Sequence, residues 1–279
     1  MKQHYMVYVT ANDTALLKDY INLYLSRKFD PGVATVQLII VVGGAKKFKR
    51  LHRWMLHRII SMVESGRRIK CKLVILKTNA GWDFGSAAQA LQALSSEAQS
   101  EDYILVRNRS TWGPHADGWY KKYIDLLDLS DLLGLVGSSI SFKDHPARKR
   151  NYDIAHVQTY VYASQWKFLS ALLPGFPGRE ATNHLEAVLQ GEIELSQEIM
   201  KRGWNLAALN YQGLQVSYNN QNDFTPSHLK QYAPASDIPI SKDNQERNRK
   251  YYLKILLILT TIIWYSFPHR SSCKWITLL

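Results

Sequence analysis

The chain has 279 residues, 46% of them hydrophobic, and a formal net charge of +12 at pH 7. That supports one sizeable buried core and leaves too little length for two large domains. A charged fraction of 21% argues against global disorder. A cationic excess draws phosphates, nucleic acid or anionic lipid. Here it is split between Lys46 to Arg58, Lys143 to Arg150 and Lys242 to Lys250 rather than gathered on one basic helix with interleaved aromatics, so nucleic acid is not the expected partner. Cys71 and Cys273 make neither a zinc motif nor a disulfide framework, and Cys71, in a strand-like run, reads as a small core residue. With no signal-peptide pattern at the first residues, a reducing, cytoplasmic setting is expected.

His4 to Thr10 alternates and is rich in β-formers, giving a first strand; Asn12 or Asp13 then caps a helix to about Lys28. Thr35 to Val42 is a nearly continuous apolar run, the pattern of a parallel strand covered on both faces. Lys46 to Glu64 carries Phe48, Leu51, Met55, Ile59 and Met62 at helical spacing, and its outer face is basic. Lys70 to Lys77 is a strand, Ser86 to about Ala98 a helix, Asp102 to Val106 a strand, Asp117 to Leu127 a helix and Leu133 to Val136 a strand. This alternation predicts a mostly parallel sheet flanked by helices. Beyond it lie a basic loop from Ser141 to Asp153, a strand-like Ile154 to Ala163, a helix from Glu180 to Arg202 broken near Gly191, and a short strand Leu206 to Leu209. Residues 1–215 are read as the catalytic-sized domain, and 216–279 as an extension with a basic linker and an apolar run, Ile255 to Phe267. That run is short for a membrane span of ~20 residues. It suits a packing helix or an interfacial anchor at a membrane surface.

Three places carry possible chemistry. Asn79-Ala80-Gly81-Trp82-Asp83-Phe84-Gly85 sits where a strand turns into a helix, a corner at which backbone amides approach an anion closely. Asn79 suits a base or ribose and Asp83 a sugar hydroxyl, although Asp83 equally suits a helix cap. Arg107-Asn108-Arg109-Ser110-Thr111 ends the next strand, and its guanidinium forks match phosphate oxygens or surface salt bridges. Glu192 and Glu194 stand together at a helix start, where one suits a general base and both suit the helix dipole. His156 and Gln158 share a strand face, and Trp112, Trp119, Tyr120, Trp166 and Phe176 would suit a saccharide surface. A Gly-x-Gly-x-x-Gly corner, expected of a dehydrogenase, is missing after the first strand, where the chain reads Thr10-Ala11-Asn12-Asp13-Thr14.

In this order the three pieces resemble nucleotide-sugar-dependent glycosyltransferases of the GT-A fold, especially those of capsule, rhamnan and surface-polysaccharide assembly. Asn79-x-Gly81 resembles the family's Asn-x-Gly element, Asn108-Arg109-Ser110 a divergent Asp-x-Asp motif, and Gly191-Glu192-Ile193-Glu194 the acidic base motif. The resemblance spans roughly residues 4 to 210 and implies an α/β GT-A (Rossmann-like) sheet. It implies a nucleotide-sugar donor, a UDP-sugar first among them, bound by Thr10, Asn12, Asn79, Gly81, Asp83, Asn108, Arg109, Ser110 and His156. The acceptor would be an oligosaccharide or other glycan, with Glu192 as base and Glu194 beside it. Ser110 stands where the family's metal carboxylate would be, which leaves Mn2+ or Mg2+ open and suggests Arg107, Arg109 or the basic loop Arg148 to Arg150 as the compensating charge.

Overall fold

The computed structural model describes residues 2–13, 16–44, 50–78, 81–148, 154–224, 229, 232 and 273–278. Strands β1 (His4–Ala11), β2 (Val36–Gly43), β3 (Ile69–Lys77) and β4 (Tyr103–Asn108) alternate with helices α1 (Leu16–Lys28), α2 (Arg50–Glu64) and α3 (Trp82–Leu94). After them come α4 (Lys121–Leu127), β5 (Leu133–Gly137), the short pair β6 (Ile140–Ser141) and β7 (His156–Val157), then β8 (Val161–Gln165) and α5 (Trp166–Ser170). The chain continues through α6 (His184–Glu186), a π-helical stretch (Ala187–Ile193), α7 (Glu194–Lys201), β9 (Asn205–Ala208), β10 (Tyr211–Val216) and β11 (Lys274–Leu278).

Among the described residues nine strands form one sheet, ordered β10-β9-β5-β8-β4-β1-β2-β3-β11. β4, β1, β2, β3 and β11 run parallel, whereas β8 is antiparallel to both β4 and β5. The apolar runs are buried on both faces because each face has its own helical cover. Val7, Val9, Ile39, Val41 and Ile75 pack with Ala87, Leu91 and Leu94 of α3. Met6, Tyr8, Leu38, Ile40 and Val74 pack on the other face with Leu56, Ile60 and Val63 of α2 and Tyr123 of α4.

Several boundaries differ from the sequence reading for local reasons. α3 begins at Trp82, four residues early, so the glycine corner itself is its first turn. α4 begins only at Lys121, because Asp117 turns back to accept the Asp30 N–H at 2.7 Å. The strand read from Ile154 to Ala163 is two pieces, β7 and β8. β10 and β11 were not foreseen. The proposed saccharide surface is corrected as well: Trp119 and Tyr120 are fully buried, and Trp166 and Phe176 lie in the core. The apolar run 255–267 lies outside the described residues. Among the described residues, no helix is long and apolar enough to cross a membrane.

Candidate functional site

β1 and β4 are neighbouring parallel strands in register, with Val9 opposite Asn108, so their carboxyl ends open at the same level. A cleft of about 710 Å³ lies there. Its walls include Thr10, Asp83, Asn108, Arg109, Ser110 and Glu192, all anticipated, and Asp13, Lys18, Trp82, Thr159, Tyr160 and His184, which were not. Such a crevice at strand ends is where open α/β sheets bind ligands.

The first wall is the start of α3. Asn79 lies outside the described residues. Gly81 has φ +73° and its N–H donates to the Ala181 carbonyl at 3.1 Å. A Cβ there would stand 1.9 Å from the Arg179 carbonyl oxygen. Gly81 therefore serves close backbone packing and is not among the cleft residues. Trp82 follows at φ +46°, a conformation that L side chains rarely adopt, and turns its ring into the cleft edge-on to His184 at 6.2 Å. Asp83 accepts a hydrogen bond from Asn108 Nδ2 at 2.8 Å. Desolvation by the surrounding wall raises its carboxyl pKa, against the pull of Asn108, Arg109, Lys77 and His184. Lys77 is buried 3.4 Å from Ser86 Oγ, and desolvation lowers its ammonium to about 8 although Asp83 acts to raise it.

The second wall is the end of β4. Asn108 Oδ1 accepts from the backbone N–H (3.1 Å) and the hydroxyl of Ser110, which fixes the turn. Arg109 donates to the Ala11 carbonyl at 3.3 Å, pairs with Asp13, and stands 3.5 Å from Asp19. Asp19 is buried, accepts from Tyr8 OH (2.9 Å) and Thr10 Oγ1 (2.8 Å), and is pushed up to about 6 by burial. Lys18 reaches across to the Ser110 carbonyl at 3.0 Å and lies 4.6 Å over the Trp112 ring. Arg107 is a correction. Strand alternation turns it away from the cleft, and it is fully buried, donating to Thr111 Oγ1, Ser26 Oγ and the Gly113 carbonyl. Asn12 is not among the cleft residues either. It ties the β1 and β2 ends together through the Gly43 and Gly44 carbonyls.

The third wall is the π-helical stretch, a form that recurs at functional sites. It turns Glu192 into the cleft. Glu192 Oε2 accepts from the Thr159 N–H at 3.1 Å and from Thr159 Oγ1 at 3.0 Å. Its Oε1 is 3.7 Å from His156 Nε2. His156 is buried behind Glu192, with Nδ1 3.1 Å from the Ile154 carbonyl, so it touches the carboxylate rather than the cleft. Glu194 is directed elsewhere, to Arg148 at 3.3 Å and Lys201 at 3.6 Å. Arg148 is thereby committed to Glu194 and Asp144, and Lys149 and Arg150 lie outside the described residues.

The carboxylates that line the cleft each have a partner within the chain. Asp83 is bound to Asn108, Asp13 to Arg109 and Glu192 to Thr159, and an amide and a hydroxyl occupy the ends of Asn108-Arg109-Ser110. Among the described residues no three His, Cys, Asp or Glu side chains come together to hold a metal ion.

No family model and no curated sequence matches the chain. Solved structures do. The mannosyltransferase PcManGT from Pyrobaculum calidifontis, in complex with GDP-Man and Mn2+, aligns at TM-score 0.51 and 12% identity over 75% of this chain and 55% of its own. The bifunctional glycosyltransferase WbbM aligns at TM-score 0.43 and 13% identity, over 88% and 46%. The galactosyltransferase LgtC, in complex with donor and acceptor sugar analogues, aligns at 0.47 and 10%, over 90% and 94%. The chain thus spans about half the length of the first two. At this identity the likeness to PcManGT shows a shared fold, the mostly parallel α/β sheet of the GT-A type.

Proposed function

We propose that the chain is a glycosyltransferase that moves a sugar from a nucleotide-sugar donor to a hydroxyl of a glycan acceptor with inversion, Glu192 serving as the general base. One observation carries this reading. The Glu192 carboxylate and the Asp83–Asn108–Ser110 group line the same cleft at the carboxyl ends of β1 and β4. The shared fold with a mannosyltransferase agrees with it.

Chemically, Glu192 takes the proton of the acceptor hydroxyl while that oxygen attacks the anomeric carbon; the bond from that carbon to the diphosphate oxygen breaks on the opposite face. The two Thr159 donors fix Oε2 and hold the carboxylate at the cleft. Asp83 and Asn108 hold sugar or ribose hydroxyls, and Trp82 offers an apolar wall to a ring. Lys18 and Arg109 meet the charge of the departing diphosphate. A UDP-sugar is the first donor to try. Thermal shifts against a panel of nucleoside diphosphates and nucleotide sugars, followed by nucleotide release in the presence of glycan acceptors, test the proposal. The expected result is a raised melting temperature with one nucleotide class and acceptor-dependent release. No shift with any of them at millimolar concentration, and no release, refutes it.

A further inference from the structure

The chain contains only two cysteines, 202 positions apart, and the fold brings them into contact. Cys71 belongs to β3. Cys273 immediately precedes β11, the strand that closes the sheet at its β3 edge. Their Sγ atoms are 2.6 Å apart, against about 2.05 Å in a disulfide, so a bond between them requires only a small displacement. Both are buried, at 5% and 8% exposure. Two cysteines placed at random in such a chain would seldom meet.

We propose that Cys71 and Cys273 form a redox-controlled covalent latch that fastens the C-terminal strand to the body of the sheet. This proposal is independent of the sugar-transfer reading. Among the described residues β11 has one neighbouring strand, with Lys274 opposite Leu73 and Leu278 opposite Lys77. It is further supported by Trp275, whose ring centroid lies 4.7 Å from that of His57 on α2. A five-residue edge strand held on one side opens more readily than the interior strands. Opening exposes Cys273 first. In the closed state Cys71 lies within β3, where contact with Cys273 and then burial raise its thiol pKa.

The co-reactant is a small disulfide such as oxidised glutathione. The Cys273 thiolate attacks it, forming a mixed disulfide and releasing one glutathione thiolate. As β11 re-pairs, Cys71 Sγ, losing its proton, attacks Cys273 Sγ and expels the second glutathione. The net change oxidises two protein thiols to one disulfide while one glutathione disulfide is reduced to two thiols. The bond closes a loop of about 200 residues, so the unfolded chain loses far more freedom than the folded one.

The full chain is equilibrated with oxidised glutathione or with dithiothreitol, quenched in acid, unfolded, and treated with a maleimide for mass analysis. The expected result is no maleimide adduct and a monomer lighter by two hydrogens after oxidation, and two adducts after reduction. Persistence of two adducts in excess oxidised glutathione overturns the proposal, and so does a product carrying only glutathione adducts or intermolecular dimers. Melting the wild-type chain in both states gives a second reading that needs no variant. The oxidised form should melt higher by about 5 °C or more. Cys273→Ser should abolish that difference, and equal melting of the two wild-type states refutes the latch.

Discussion

Replacing Glu192 by Gln removes the proposed base while keeping its shape. In the wild-type chain Oε2 accepts two hydrogen bonds from Thr159, at 3.1 and 3.0 Å, and the side chain is 23% exposed. The amide oxygen of Gln accepts the same two donors, but as neutral bonds, each weaker by about 1 kcal/mol or less than its charge-assisted counterpart. The folding cost is therefore about 1–2 kcal/mol, a few degrees in melting temperature, and the cleft stays formed. Catalysis responds on another scale. General-base assistance is worth about 10²–10⁴ in rate, which is roughly 3–5 kcal/mol of barrier. The assay has two arms: donor affinity by thermal shift, and single-turnover transfer at saturating donor. Glu192→Gln should keep donor affinity within about threefold and lose at least about 100-fold in transfer. Transfer within about threefold of wild type would show that another group takes the proton, and the assignment would fall.

Three further outcomes follow from the same geometry. Gly81→Ala places a methyl 1.9 Å from the Arg179 carbonyl at φ +73°, which no rotamer relieves. It should cost more than about 3 kcal/mol in urea unfolding, and a loss under about 1 kcal/mol would refute the packing role. Asp19 has its folded carboxyl raised to about 6 from 3.8, mainly by burial. The folded state therefore binds the proton more tightly, so the associated stability is fully present below about pH 4 and is lost as pH rises through 6, about 3 kcal/mol at most. Asp19→Asn should flatten the stability profile between pH 4 and 7, and an unchanged slope refutes the assignment. With Lys18 and Arg109 meeting the diphosphate charge, transfer should persist in excess chelator and drop at least about tenfold in Lys18→Ala. Complete, reversible loss on chelation would restore a metal to the mechanism.

Much of the fold was legible because its carrier was periodicity. Val36 to Val42 is buried nearly throughout, as an uninterrupted apolar run requires of a parallel strand, whereas Tyr5 to Val9, read as alternating, is buried on both faces because helices cover both. Local signals failed where a distant partner decided the outcome. β11 pairs with a strand just over 200 residues earlier (Lys274 opposite Leu73), and nothing within Lys274 to Leu278 announces that. Site residues divided along the same line. Arg107 and Arg109 carry equal charge, yet one is locked into the core and the other stands at the cleft. The two-residue alternation of β4 turns Arg107 inward, and the turn that follows the strand carries Arg109 to the site. Alternation sets Arg107 on the face opposite Asn108 but would leave Arg109 on the face of Arg107; what separates the two arginines is the end of β4 at Asn108. Lys18 and Thr159 had no local signal, since each reaches the cleft from another element and acquires meaning through a partner: the Ser110 carbonyl for one, the Glu192 carboxylate for the other.

The start of α3 and the stretch that carries Glu192 also pack directly on each other. A Cβ on Gly191 would lie 2.4 Å from the Phe84 ring, so the residue preceding Glu192 is small because the first turn of α3 presses against it. Phe84 in turn follows Asp83, the carboxylate held by Asn108. The corner that opens α3 and the π-helical stretch that carries Glu192 therefore meet through direct packing of a ring on a bare backbone. Close-packed contacts of this kind shift together rather than yield separately. If Asp83 and Trp82 hold the donor as proposed, a shift of the α3 start on binding would be passed to the Glu192 segment through the Phe84–Gly191 contact. This explains why three short sequence motifs, far apart along the chain and weak one at a time, acquire meaning only as a set.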